Sequence, residues 1–323
     1  MTRYAAQLEH ADTLAIGVSG GGDSIGLAHM LHKWCALHDK TLHILTVDHK
    51  LRPEAADEAR QVKAWVESWP STAHFTLEWQ HAEKPETRIQ ESARAARYAL
   101  MREHCATHGI KALFIGHNAD DQYETFLIRL TSGSGLKGLC AMQDMQTEQD
   151  GLFKIRPLLD HSHAEVLDYC RDNGLSWVED PSNQDAHYKR IRIRNSAAIL
   201  SEEGLSTKRV NMLISRLTRS RAALGYYTDK ELTQLTVSQS NAGHIIDFDA
   251  FKNIPAEIGI NILNHILFRL QGAAMTYPPS SEKLESLYGR IICEDKPFKG
   301  ATLYKSVFKI KNKTRELHIT KET

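Results

Sequence analysis

The sequence predicts an α/β protein: a doubly wound parallel sheet, followed by helices and a smaller C-terminal α+β domain. Three observations carry this reading. Strand-length apolar runs alternate with helical stretches through the first half, a run of glycines stands at the first strand-to-helix junction, and the alternation stops after "KIRPLL", Lys154 to Leu159. Alternation at this spacing means βαβ units, whose right-handed crossovers build one parallel sheet.

Taken in order, Leu14 to Val18 reads as a buried strand, Ser24 to His38 as a helix, and "TLHILTVDH" from Thr41 as the second strand. Helical periodicity returns over Glu54 to Glu67. His74 to Trp79 is strand-like, and a long helix is expected from about Thr87 to His108. "ALFIGH", Ala112 to His117, is the fourth strand, and "ADDQYETFLIRL" the helix after it. Helices then dominate from Ser162 to about Gly225. The polar "TVSQSNAGH" near Thr236 separates them from "PAEIGINILNHILFRL", "SEKLESLYGRIIC" and an alternating tail, "ATLYKSVFKIKNKTRELHIT", expected to be a hairpin. The domain boundary is placed near Leu217, giving domains 1–217 and 218–323.

Composition narrows the function classes. The chain has 323 residues, 41% of them hydrophobic and 25% charged, enough for one large domain plus a smaller one. Lys+Arg and Asp+Glu each total 40, which excludes a uniformly basic nucleic-acid binder and confines any basic surface to a local track. "MTRYAAQLEH" lacks the apolar core of a signal segment, and no run approaches the ~18 apolar residues of a membrane span. A cytoplasmic protein without membrane contact is expected. Cys35, Cys105, Cys140, Cys170 and Cys293 are scattered without a C-x-x-C, so they read as reduced thiols. His29 and His32 share a helix face, and His161 and His163 sit at a helix start. No carboxylate or thiol completes a ligand set at the first pair, and these histidines are expected to be packed or solvated.

The glycine run in "LAIGVSGGGDSIGLAHML", Leu14 to Leu31, offers bare backbone N–H groups and a positive helix end, an anion site by geometry. No lysine follows as the G-x-x-x-x-G-K-S/T loop requires, and Ile25 stands where the dinucleotide fingerprint needs a small residue. Asp48, ending the second strand, would otherwise pass for the ribose ligand of a nicotinamide enzyme. Asp23 argues against both, because a carboxylate beside phosphate repels it unless a cation lies between. Asp23 and Ser24 as mere helix caps are the alternative.

"SGGGDS", Ser19 to Ser24, resembles the S-G-G-x-D-S pyrophosphate loop of the ATP pyrophosphatases. "VDHKLR" (Val47 to Arg52), "ESARAARY" (Glu91 to Tyr98), "GHNADDQYET" (Gly116 to Thr125), "SGSGLKGL" (Ser132 to Leu139), "IRPLL" (Ile155 to Leu159) and "EDPSNQDAHYKRIRIR" (Glu179 to Arg194) follow in the order of the tRNA(Ile)-lysidine synthetases. The resemblance covers Leu14 to Arg194. It departs at Asn118, where many members have a second histidine, and at Ile191, which interrupts the usual R-N-R-I-R.

The resemblance implies a ligase. ATP would adenylate the C2 carbonyl oxygen of the wobble cytidine in a CAU-anticodon tRNA(Ile), and the ε-amine of free lysine would displace AMP to give lysidine. At pH 7 fewer than about one lysine in a thousand carries a free amine, so a base and an acidic pocket are required. By the match, Ser19, Gly20, Gly21, Gly22, Asp23, Ser24 and Asp48 would bind ATP, with Mg2+ held by Asp23. Asp121 and Glu124, at i,i+3 near a helix start, would hold lysine's amino groups, and His117 would border the reacting centre; acids that merely favour the helix dipole are the plain alternative. Arg94 and Arg97 share a helix face and suit lysine's carboxylate or ATP's phosphates, or are simply solvated. The basic run Lys189, Arg190, Arg192 and Arg194, continued by Lys208, Arg209, Arg216, Arg219 and Arg221, suits tRNA phosphates. A homodimer would be unsurprising. A tRNA thiolase with the same loop would use cysteine pairs or cysteine-held clusters, for which the spacing shows no obvious pair, and a non-catalytic tRNA-binding relative would not need the loop acid or the acidic pair.

Overall fold

A short turn at Thr2–Tyr4 and helix α1 (Ala5–Leu8) precede strand β1 (Thr13–Gly17), which leads into α2 (Gly22–Leu37), β2 (Thr41–Asp48), α3 (Ala55–Val66), β3 (Thr72–Glu78), α4 (Ile89–Thr107) and β4 (Ala112–Ile115). After β4 come α5 (Ala119–Leu130), α6 (Leu136–Leu139), the strands β5 (Met145–Thr147) and β6 (Phe153–Ile155), and helices α7 (His163–Asp172), α8 (Lys189–Glu202) and α9 (Thr207–Leu235). This computed structural model describes residues 1–51, 55–80, 89–148, 150–179, 189–272, 279–293 and 297–322. Two units emerge, Met1–Ser134 with Gly138–Ser215, and Gly135–Lys137 with Arg216–Thr323.

The first unit holds a six-stranded sheet in the order β3-β2-β1-β4-β6-β5, parallel except for the antiparallel edge pair β5–β6. Strand β1 is buried on both faces, as a central parallel strand must be. Leu14 and Ile16 pack with Ile25 and Leu31 of α2, Val62 and Val66 of α3 and Val166 of α7, while Ala15 lies with Met101 and Cys105 of α4. Helices thus cover both faces. The chain leaves β1 towards β2 on one side and returns at β4 on the other, so the strand order reverses between β1 and β4. Ligands of open α/β sheets bind at the carboxyl ends of strands at such a point.

The second unit adds β7 (Thr236–Gln239), β8 (Gly243–Asp247), α10 (Phe248–Lys252), α11 (Ala256–Gln271), α12 (Ser281–Ile292), β9 (Ala301–Leu303), β10 (Ser306–Lys311) and β11 (Glu316–Lys321). Its five strands form an antiparallel sheet, β7-β8-β11-β10-β9. Ile246, Phe308, Leu317 and Ile319 of that sheet pack on Ile262 and Ile266 of α11 and on Leu284 and Leu287 of α12.

Several elements differ from the expected ones. Helix α2 begins at Gly22, before Ser24, with Gly21 as its extended N-cap residue and no side-chain cap bond. The Ser24 hydroxyl instead donates back to the Gly21 carbonyl at 2.8 Å. Asp23 and Ser24 are therefore not caps. Strand β5, at three residues, is too short to show a period. Helix α9 runs on to Leu235, and the polar stretch after it forms the edge strand β7, mostly exposed and so without apolar alternation.

The loop between β4 and α5 lies directly on the first turn of α2. A Cβ at Gly116 would stand 3.1 Å from the backbone C and O of Asp23 and the Cα of Ser24, main-chain atoms that cannot swing aside. Gly116→Ala is expected to lift this loop at a cost of about 1–3 kcal/mol, the range for overpacking, read as a lower urea midpoint. An unchanged midpoint would mean that the loop is not seated there.

Candidate active site

At the carboxyl end of β1 the chain turns through Ser19 to Ser24 into α2. Gly20 has φ +89°, a conformation that favours glycine, and its carbonyl accepts from the Val178 N–H at 2.9 Å. The Ser19 N–H donates to the Ser24 hydroxyl oxygen at 3.2 Å. The loop is thereby folded on itself below the N-terminus of a 16-residue helix, whose dipole and leading N–H groups favour an anion. Asp48, buried at the end of β2, accepts from the Lys50 N–H at 2.8 Å and so holds the turn after that strand.

Asp23, in the first turn of α2, meets a residue the sequence reading set aside. Both of its carboxylate oxygens lie 3.0 Å from Nδ1 of His163, the first residue of α7. The hydrogen bond that His163 donates to Asp23, opposed by burial, raises the His163 pKa above its ordinary value. The backbone N–H of His163 donates to Asp120 at 2.9 Å, so one residue ties α7 to both α2 and α5.

Helix α5 starts with a reciprocal cap. The Asn118 side-chain oxygen accepts from the N–H groups of Asp120 and Asp121 at 3.0 and 2.9 Å, and Asp121 Oδ2 accepts from the Asn118 N–H at 3.2 Å. This gives the asparagine at the departing position a physical role, since Asn is among the best N-cap residues. Asp121 keeps Oδ1 free of the cap, and that oxygen accepts from Arg190 Nη2 at 3.0 Å. Glu124, one turn on, is only 3% exposed and accepts from Arg190 Nε at 2.6 Å and from Arg194 Nε at 2.7 Å. A carboxylate that buried requires such partners. Burial, outweighing Arg190, pushes the Asp121 carboxyl above the usual carboxylate range.

His117, just past β4, sits among cations. Burial first, then Arg94, Arg156, Arg190 and Arg97, hold its pKa well below the ordinary value, so the ring is neutral. Arg156 Nε donates to His117 Nδ1 at 3.2 Å, which leaves the ring proton on Nε2. Arg156 is only 6% exposed and also donates to the Gln143 carbonyl at 2.8 Å. Arg97 reaches His49 Nε2 at 3.1 Å, and Arg94 donates to the Tyr98 hydroxyl at 3.4 Å.

The fold therefore brings Asp121, Glu124, His117, Arg190 and Arg194 together, and it sets the loop Ser19 to Ser24 at the neighbouring strand end. Arg190 and Arg194, expected on a tRNA track, are engaged with the acidic pair. Arg192 is exposed on the same helix, as are Lys208, Arg216 and Arg219 on α9, while Arg221 is half-buried and Arg209 donates to the Gly204 carbonyl. The side chain of Lys189 lies outside the described residues, as do Arg52 and most of the stretch from Glu179. Sequence reasoning missed His163 and Arg156. "IRPLL" did offer a signal, because Arg156 directly follows β6, at a strand end where such sites open.

A parallel sheet with this glycine loop at its switch point defines a PP-loop protein, and the profile of the PP-loop domain matches residues 2–200. The chain is similar to the tRNA(Ile)-lysidine synthase of Wolbachia pipientis, 34% identical over 87% of this chain and 65% of that protein, and to that of Ruegeria pomeroyi, 36% identical over 82% and 62%. The Rhodopseudomonas palustris tRNA(Ile)-lysidine synthase is 37% identical over 88% of this chain and 82% of its own. The chain belongs to the tRNA(Ile)-lysidine synthase family. It spans less than two thirds of the length of the first two of these relatives. A U34-tRNA thiolase of Methanococcus maripaludis shares the fold, with a TM-score of 0.56 and 17% identity over 65% of this chain and 73% of that one. No described helix is long and apolar enough to cross a membrane.

The Asp23–His163 pair generates a pH prediction. A histidine whose folded pKa is raised stabilises the fold fully below its unfolded value, about 6.5, and loses that contribution as pH rises through the folded value. Asp23→Asn should bring the His163 titration back towards 6.5 and flatten this part of the stability profile. NMR of the imidazole C–H resonances checks it, and an unmoved midpoint would dissolve the pair.

Proposed function

We propose that the chain makes lysidine: the C2 carbonyl oxygen of the wobble cytidine of a CAU-anticodon tRNA(Ile) attacks the α-phosphorus of ATP, pyrophosphate leaves, and the lysine ε-amine then attacks C2 and expels AMP. The observation that carries this reading is the buried acidic pair Asp121 and Glu124 beside the crevice opened by the Ser19 to Ser24 loop. Two carboxylates one helical turn apart suit the ammonium of an amine substrate, which an adenylating enzyme without one would not bind. Family membership supports the same chemistry.

In this reading the loop N–H groups and the α2 terminus hold the departing pyrophosphate. Mg2+ fits Asp23 by its donor chemistry, since this ion is commonly bound through one or two carboxylates plus substrate phosphates. Asp23 would hold it once His163 yields or is neutral, and the ion supplies charge neutralisation on the phosphates. The lysine ammonium joins or replaces Arg190 at Asp121 Oδ1 and Glu124. Because Arg156 occupies Nδ1 of His117, that ring offers an N–H donor rather than a base. The carboxyl of Asp121, made more basic by burial, takes the amine proton. Arg94, Arg97 and Arg156 supply the positive wall for phosphates or for lysine's carboxylate. The exposed basic residues of α8 and α9 and the second unit, taken as residues 218–323, contact the tRNA, and the setting is the cytoplasm.

The thiolase alternative is disfavoured by its nucleophiles. Cys35, Cys105, Cys140 and Cys170 are buried, and burial pushes the Cys35 and Cys105 thiols up to about 12.

Glu124→Gln tests the assignment. Losing one charge-assisted hydrogen bond costs ~1.5–3 kcal/mol, so the lysine KM should rise roughly ten- to hundredfold while the ATP KM holds. Adenylated tRNA should accumulate at limiting labelled lysine. If the ATP requirement rises and lysine dependence does not move, the acids belong to the nucleotide site.

A further inference from the structure

Three histidines converge far from this crevice. His43 lies early in β2, five residues before Asp48, or about 17 Å along the strand at ~3.3 Å per residue. His104 and His108 lie at i,i+4 near the end of α4, and one ring nitrogen from each of the three residues falls within 4.8 Å of the others. His43 Nδ1 stands 3.0 Å from His104 Nε2. Two nitrogens bound tetrahedrally to zinc at 2.0–2.1 Å would stand about 3.3 Å apart, so this pair is already near ligand spacing.

Protonation and surroundings suit a metal. Nδ1 of His108 lies 2.8 Å from the His104 carbonyl, where it can only donate, so its Nε2 keeps a lone pair. The other two rings need no net proton release. Whichever donates across the 3.0 Å contact moves its proton to its other nitrogen, which frees both contact nitrogens as ligands; His108 stacks on His104 at 4.1 Å, and its exposed ring turns to complete the set. Burial also lowers the pKa of both, His104 to about 4. Phe75 packs against all three rings, at centroid distances of 4.7, 4.5 and 5.7 Å, and walls one side. His104 is buried and His108 exposed, which leaves a way in from solvent.

We propose that His43, His104 and His108 form a binding site for a divalent transition metal of the zinc(II) class, with one coordination position open to solvent. Three imidazoles select such ions over Mg2+, which prefers oxygen donors. Bound there, the metal pins the end of α4 to β2 and so anchors the helix that carries Arg94 and Arg97.

The test uses the full chain, stripped of metal and held in excess Mg2+ so that carboxylate sites are filled. Zn2+ is titrated against a chelating dye, and Co2+ is added separately to read its visible spectrum. The wild type should bind one more zinc equivalent than His108→Ala, give the intense spectrum of a four-coordinate cobalt site, and gain thermal stability with added zinc. His108→Ala removes an exposed ligand, and His43→Phe keeps an aromatic ring against Phe75, so both should fold with the wild-type melting temperature in EDTA. Each removes a ligand and should weaken zinc binding by more than about tenfold, the smallest loss typical of an outer-shell partner. If both variants bind zinc as the wild type does, or the cobalt spectrum stays that of the aqueous ion, the three rings are packing alone.

Discussion

The site depends on how closely two backbones meet at the switch point of the sheet. With no side chain at Gly116, the loop leaving β4 rests on the main chain of Asp23 and Ser24. That contact sets the start of α5 beside the start of α2. Everything chemical then follows from two helix N-termini held side by side: an anion-favouring loop at one, and a capped pair of acids at the other.

Charge compensation is the second constraint. Glu124 is almost wholly buried and is tolerable only because Arg190 and Arg194 reach it from α8. Beside it, burial first and then the charges of Arg94, Arg156, Arg190 and Arg97 keep His117 neutral. A wall of arginines thus stands beside a buried acidic pair already met by Arg190 and Arg194. His163 plays the corresponding part at Asp23, whose carboxylate raises the ring's pKa across a 3.0 Å contact.

The outer face of the domain obeys different rules. On the α4 side of the sheet, three histidines pack around Phe75, and His43 Nδ1 meets His104 Nε2 at 3.0 Å. That contact satisfies polar nitrogens taken out of water, which coordination by a metal would also do.

Sequence by itself determined the order of strands and helices from β1 to α5, because buried parallel strands and amphipathic helices carry distinct periods that survive without context, and it left out the short α1, α6, β5 and β6. It determined the anion loop, since "SGGGDS" encodes a local backbone shape, and the candidate acids Asp121 and Glu124 through their i,i+3 spacing. Tertiary structure decided which charges meet. Arg190 and Arg194 read as open basic residues on a helix, and only the packing of α8 on α5 turned them to Glu124. Likewise Asn118 read as a departure until its cap bonds were seen, and His163 and Arg156 gained partners from elements far away in the chain. Short-range pattern fixes the backbone of a segment; the partner of a long side chain is a matter of three-dimensional proximity, which no local pattern contains.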